Sequence, residues 1–289
     1  MRATILVLLA TLLGFIGDAA AHDPVAGPVE PFASGLAGPE GLAFTRDGLV
    51  VGSTTGEILR YATDGSYTVL ANIGEAAAGI TELRDRRLLV ASLLPDHVWS
   101  IAPDGTTTLF ASGVGNPNFI VQTRSGRIFA SASGTGSIVD ITTGTPVVVA
   151  SGLSFPNGLA IGRSDRQRFL YVAETLGGRV SRFPLDAADG LGPEEVYATG
   201  ITLADGLAFD LSGNLLAVGG GMLKVIDRDT QAVSTLLTDP LLNWPSNLAF
   251  GRNRFGHRYV YLANFGPGLG DGTTVVRFRF NHCGARLIR

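Results

Sequence analysis

Phe155-Pro156-Asn157-Gly158-Leu159-Ala160-Ile161 follows a fixed order: a turn, a side chain ending in oxygen, a glycine, then a short apolar run. Further β-branched and aromatic runs follow at 169–174, 179–183 and 195–199, each bounded by Gly, Pro, Asp or Asn. The segment therefore reads as four short strands joined by turns. The same order returns at Glu40-Gly41-Leu42-Ala43-Phe44, Ala78-Gly79-Ile80, Asn118-Phe119-Ile120-Val121, Asp205-Gly206-Leu207-Ala208-Phe209 and Asn247-Leu248-Ala249-Phe250. The leading positions 40, 78, 118, 157, 205 and 247 are 38, 40, 39, 48 and 42 residues apart. The end of the second run gives an independent landmark at Ser53, Ser92, Ser131, Glu174, Gly219 and Asn264, spaced by 39, 39, 43, 45 and 45. Four strands recurring at that period predict an all-β, six-bladed β-propeller with four strands per blade.

The ends of the chain fit a closed ring. Residues 29–36 resemble the fourth run of later units (108–113, 147–152, 195–200), while the last unit stops at its third run, 274–280. The N-terminal strand is therefore expected to close the last blade, which removes exposed strand edges. Upstream, residues 1–21 carry Arg2, an apolar stretch from Thr4 to Ile16 and Ala19-Ala20-Ala21, the pattern of a secretory signal peptide. The expectation is a secreted or periplasmic protein in which residues 22–289 form one propeller domain, a monomer with no membrane span after signal cleavage.

Composition excludes some partners. The formal net charge is -3 with no basic stripe, so nucleic acid is not an expected partner. Cys283 stands alone, so no intrachain disulfide can form. No Gly-x-Ser-x-Gly motif is present, which disfavours a serine hydrolase.

If the first strand of each blade lines the central channel, its first residue lies at one rim, and the second strand, returning antiparallel, ends at the same rim. Glu40, Ala78, Asn118, Asn157, Asp205 and Asn247 would then form one ring, with Ser53, Ser92, Ser131, Glu174 and Asn264 in a second. Five of the six first-ring positions carry carboxylate or amide oxygen. Such a donor set suits a hard divalent cation, Ca²⁺ foremost, with Mg²⁺, Mn²⁺ or Zn²⁺ as alternatives. Asn-Gly and Asp-Gly are also common turn pairs, but Asp47-Gly48, Asp64-Gly65 and Asp104-Gly105 already occupy the hairpin positions of this chain. Turn chemistry thus accounts for the glycines better than for the oxygens.

Pro39-Glu40-Gly41, Pro117-Asn118, Pro156-Asn157-Gly158-Leu159-Ala160, Tyr171-Val172-Ala173-Glu174-Thr175 and Asp205-Gly206-Leu207-Ala208, in this order and spacing, resemble the family of gluconolactonase, senescence marker protein (regucalcin) and luciferin-regenerating enzyme. The resemblance implies one divalent metal ion held by Glu40, Asn157 and Asp205, with Asn118 lining the site, and metal-dependent hydrolysis of lactones. It also makes Asp205 a catalytic base as well as a ligand. Where members acting on sugar lactones often read Arg-Pro-Asn-Asp, this chain has Asn116-Pro117-Asn118-Phe119. That departure replaces an arginine that would grip substrate hydroxyls and weakens the case for a sugar.

The expected function is hydrolysis of a small-molecule lactone or ester, with metal-activated water attacking the carbonyl at the mouth. Asp205 and Glu174 are the candidate catalytic residues, and Asn118, Asn116, Asn247 and His97 the candidate substrate-binding ones. His97 is expected in a blade-two loop overhanging the channel. A non-catalytic binding propeller, or a lyase or strictosidine-synthase-like enzyme on the same architecture, are the alternatives.

Overall fold

The computed structural model describes residues 23–268 and 270–285; the expected signal peptide lies outside them. Strand β1 (Ala26–Ser34) precedes blade 1, made of β2 (Leu42–Thr45), β3 (Gly48–Gly52), β4 (Glu57–Tyr61) and β5 (Tyr67–Asn72). Blade 2 holds β6 (Ile80–Glu82), β7 (Leu88–Ser92), β8 (His97–Ile101) and β9 (Thr107–Ser112); blade 3 holds β10 (Pro117–Gln122), β11 (Ile128–Ala132), β12 (Ser137–Asp140) and β13 (Val147–Ser151). Blade 4 is β14 (Pro156–Ser164), β15 (Gln167–Glu174), β16 (Arg179–Leu185) and β17 (Glu195–Thr199), and blade 5 is β18 (Ala204–Phe209), β19 (Leu215–Gly219), β20 (Met222–Ile226) and β21 (Val233–Leu237). Blade 6 contains β22 (Pro245–Phe250), β23 (Tyr259–Asn264) and β24 (Thr274–Phe280), and its fourth, outermost strand is β1. The chain is thus a six-bladed β-propeller, each blade an antiparallel sheet of four strands.

The ring closes as expected. In the antiparallel pair of β1 and β24, Val29 faces Phe278, Glu30 faces Arg277 and Ser34 faces Thr274. Arg277 Nε reaches Glu30 Oε1 at 2.7 Å. Pro31 is tolerated because β1 is an edge strand, where one row of backbone donors has no ladder partner.

Burial follows strand position. The second strands β3, β7, β11 and β19 are buried at every residue, because both of their faces meet a neighbouring blade. They therefore read as continuous apolar runs rather than alternating ones. The core is divided among the blade interfaces. At the closure, Leu42, Phe44, Leu49, Val51 and Tyr61 of blade 1 pack on Tyr261, Ala263 and Val275 of blade 6, with Phe32 of β1 against them. The Tyr261 ring meets both Phe32 and Phe44 edge-on, with centroids 5.1 Å apart.

Candidate functional site

The innermost strands β2, β6, β10, β14, β18 and β22 all enter the channel from the same rim. In four of them an irregularity falls just inside. Pro117 faces Ala132, Pro156 faces Glu174, Ala204 faces Gly219 and Pro245 faces Asn264, and the register shifts before Ile120, Leu159, Leu207 and, in blade 6, Asn247. Counting from these pairs, Asn118, Asn157, Asp205 and Ser246 are equivalent, and Glu40 and Ala78 hold the same place in blades 1 and 2.

Asn247 is therefore one position out of step, beside Gly158 and Gly206. Its side chain is spent on the backbone: Nδ2 donates to the Leu42 carbonyl at 3.4 Å, and Oδ1 accepts from the Leu248 N–H at 2.7 Å. The expectation that Asn247 binds substrate is corrected accordingly. The sixth ring residue is Ser246, buried, with its Oγ 3.4 Å from the Glu40 carbonyl.

In blades 1, 2, 4 and 5 the glycine after the ring residue has a packing reason. A β-carbon at Gly41 would stand 1.9 Å from the Ala78 carbonyl oxygen, at Gly79 2.5 Å from that of Asn118, at Gly158 2.2 Å from that of Asp205 and at Gly206 2.8 Å from that of Ser246. At these four contacts a blade presses on the ring residue of the next, and only glycine leaves room, whereas blades 3 and 6 carry Phe119 and Asn247 at that place.

This closeness shapes the electrostatics. Glu40 and Asp205 are half-buried, and burial pushes the Glu40 carboxyl up to about 7. Burial also raises Asp205 well above the ordinary range, and the nearby Glu40 charge adds to it. Asn118 and Asn157 are almost fully buried, and their Oδ1 atoms have no hydrogen-bond partner. Such orphaned acceptors are costly unless something outside the protein satisfies them. Asn157 cannot simply rotate, because its Nδ2 donates to Thr175 Oγ1 at 3.2 Å, and Thr175 in turn donates to the Ala204 carbonyl at 2.8 Å. Thr175 lies in the motif around Glu174, but nothing in the sequence singled out its hydroxyl. Among the described residues no three of His, Cys, Asp or Glu come together. The donors are two carboxyls and two amides.

The second ring proves to fasten the rim loops. Ser92 Oγ donates to the Leu94 carbonyl, and Asn264 accepts from the Asn243 N–H and donates to the Leu241 carbonyl. Glu174 is buried and accepts from Ser154 N–H (2.7 Å), Arg179 Nε (2.6 Å) and Ser181 Oγ (2.5 Å). Burial alone would raise its carboxyl, but hydrogen bonds from Arg179, Ser181 and Ser154 outweigh that and hold it below the usual range. A carboxylate so satisfied is a poor proton acceptor. Glu174 instead pins the loop that delivers Asn157, which corrects its expected role as a base.

Two other expectations fail on side-chain direction. Asn116 turns away from the mouth: its Nδ2 donates to the Leu93 carbonyl at 2.8 Å, and its Oδ1 lies over Gly134. His97 opens β8, the third strand of blade 2, two strands out from the channel wall. There its Nδ1 lies 2.9 Å from Glu75 Oε1, and Trp99 Nε1 donates to Oε2 of the same carboxylate. A cavity of about 990 Å³ fills the other end of the channel, lined by the far halves of the inner strands, among them Ile120, Leu159 and Leu207.

The family model described as SMP-30/Gluconolactonase/LRE-like region matches residues 114–264. The chain belongs to this family. A strictosidine synthase-like N-terminal model matches the shorter stretch 33–61. No curated protein matches the chain in sequence. Among solved structures it is similar to a gluconolactonase from Xanthomonas campestris (TM-score 0.72, 21% identity, covering 87% of this chain and 89% of that one). A luciferin-regenerating enzyme gives a TM-score of 0.73 at 17% identity over 91% and 98%. A calcium-binding protein, regucalcin, from Agrobacterium tumefaciens gives 0.69 at 20% over 90% and 95%. At these identities the likeness speaks for the fold.

Proposed function

We propose that the protein is a divalent-metal-dependent hydrolase of lactones or related esters, acting at the rim where the inner strands begin. Membership of the SMP-30/gluconolactonase/LRE-like family supports the reaction class. The observation that carries the metal is the pair of partnerless, buried amide oxygens of Asn118 and Asn157 beside two carboxyls whose ionisation is opposed by burial and, at Asp205, also by the Glu40 charge. A hard cation satisfies both at once, and an all-oxygen donor set fits Ca²⁺ first. Glu40, Asn157 and Asp205 would hold it, with Asn118 as a further donor. When bound, such an ion polarises an ester carbonyl and makes water a better nucleophile.

The chain's own residues supply the rest. Burial and the Glu40 charge raise the proton affinity of Asp205, which suits it to the role of general base in this reading. Thr175 fixes the Asn157 amide, and Glu174 fixes the loop before it. A secreted or periplasmic location belongs to the same reading and rests on the composition of residues 1–21.

The test is paired. Metal content by elemental analysis and hydrolysis of a lactone panel are measured on wild type and on Asp205→Ala. Both are expected in wild type and both are expected to fall in the variant. A wild type that takes up no divalent ion when supplied with it, or hydrolysis that survives chelation, would overturn the reading.

A further inference from the structure

The residue two places before the ring position adopts a left-handed backbone in five blades: Gly38 (φ 51°), Asn116 (62°), Phe155 (56°), Leu203 (51°) and Trp244 (49°). This turn sends the chain from the rim down into the channel. Glycine suits the conformation, and asparagine is among the side chains that tolerate it, which explains blades 1 and 3. Blades 4, 5 and 6 instead place Phe, Leu and Trp there, three bulky residues for which it is strained. Strain of this kind persists where the side chain is needed for something else.

Burial does not supply that reason. Trp244 is 44% exposed, and Phe155 and Leu203 are only half-buried. The three stand in consecutive blades, each two residues before its ring position, Asn157, Asp205 or Ser246. Their neighbours extend the same character: Leu176, next to Thr175, is 71% exposed and Leu241, in the loop leading to blade 6, 41%. Gly220-Gly221 forms the β19–β20 turn, and a β-carbon at Gly221 would just touch the Trp244 indole at 4.0 Å, which places that indole beside the turn of blade 5. Across the mouth, the polar group best placed to hold hydroxyls is withdrawn, because Asn116 is bonded to the Leu93 carbonyl.

We infer that Phe155, Leu203 and Trp244 form an apolar arc that binds a hydrocarbon substituent of the substrate, so that the mouth selects alkyl- or aryl-bearing lactones and esters over polyhydroxylated ones. This rests on the proposed hydrolase reading for the position of the reacting carbonyl. Each methylene laid on the arc should raise kcat/KM by roughly two- to fourfold until the arc is covered.

The experiment uses the metal-loaded protein with two series of increasing alkyl chain length: substituted lactones followed by hydrolysis, and the corresponding hydroxy-acid products followed by calorimetric binding. Wild type should show a rising slope in both, with gluconolactone below the longer alkyl lactones. Trp244→Gly and Leu203→Gly relieve the backbone strain, so they should fold at least as well as wild type and keep the metal, yet flatten both slopes. Binding separates this inference from the reaction: if no lactone is hydrolysed, the hydrolase reading fails, while a product affinity that still climbs with chain length upholds the arc. A flat binding series in wild type, slopes unchanged in both glycine variants, or a preference for gluconolactone would overturn it.

Discussion

Replacing Glu40, a ligand in the proposed metal site, by glutamine should stabilise the protein when no metal is present. In the unfolded chain Glu40 ionises near the ordinary 4.5, whereas burial in the ring holds its proton up to about 7. Between those values Glu40 holds more proton in the folded state than in the unfolded one, so its contribution to the stability of the metal-free protein falls as pH rises from about 4.5 to about 7 and stays low above that. The interval is about 2.5 units, and at about 1.4 kcal/mol per unit the loss from Glu40 is on the order of 3–4 kcal/mol at most. Asp205, raised by burial and by Glu40, adds in the same direction. The Glu40→Gln variant cannot ionise there. In chelator at pH 8 it should melt above wild type by up to roughly 6–10 °C for a chain of this size, while near pH 4 the two should coincide. Adding Ca²⁺ at pH 8 should reverse the order, because wild type gains the binding free energy and the variant loses a ligand. Thermal melts at pH 4 and pH 8, with chelator and with Ca²⁺, decide it. A difference between wild type and variant in chelator that is the same at pH 4 and pH 8, or a variant that melts lower at pH 8 in chelator, would refute the reasoning.

Three further outcomes follow from particular contacts. Thr175→Val removes the acceptor that fixes the Asn157 amide, so metal affinity measured by calorimetry should fall about 10–100-fold, and Thr175→Ser should restore most of it. Gly41→Ala drives a β-carbon to 1.9 Å from the Ala78 carbonyl, so the ring must part there; a loss of about 3 kcal/mol or more is expected in urea unfolding. Deleting residues 29–36 removes most of β1 and exposes the edge of β24, and should lower the melting temperature far more than deleting 284–289; equal melting temperatures would contradict strand closure by β1.

Much of this architecture was legible because every blade must solve the same problem at the same place. The glycine at Gly41, Gly79, Gly158 and Gly206 is needed for blade contact, and a side-chain oxygen opens the inner strand at Glu40, Asn118, Asn157 and Asp205, so the period survived variable loops. The missing fourth strand after β24 and its match at β1 were visible for the same reason. What the spacing could not show was the irregularity inside the first strand. It shifts register without leaving a residue signature, and so Asn247 was counted where Ser246 stands. Direction was hidden too. Whether Asn116 faces the mouth or the Leu93 carbonyl depends on Asp96, whose Oδ1 accepts from the Gly115 and Asn116 N–H groups and turns that loop. The serines, Glu174 and Asn264 of the second ring were legible as a repeated feature, but only their hydrogen bonds show that they hold loops.

The glycines and the oxygens are therefore parts of one device. Because four of the six blades lean on the next through a residue without a β-carbon, the ring is tight enough for the Glu40 charge to be felt at Asp205, although the two come from blades that are not neighbours. A wider ring would let both carboxyls ionise freely and leave little reason to hold a cation. A ring this tight makes the metal-free state carry the cost of two half-buried acids and two unsatisfied amides. On this argument, cation affinity comes less from donor count than from that destabilised apo state. Gly41→Ala should then weaken metal binding although Gly41 touches no ion, whereas a substitution at Glu174, which only pins a loop, should act chiefly through stability.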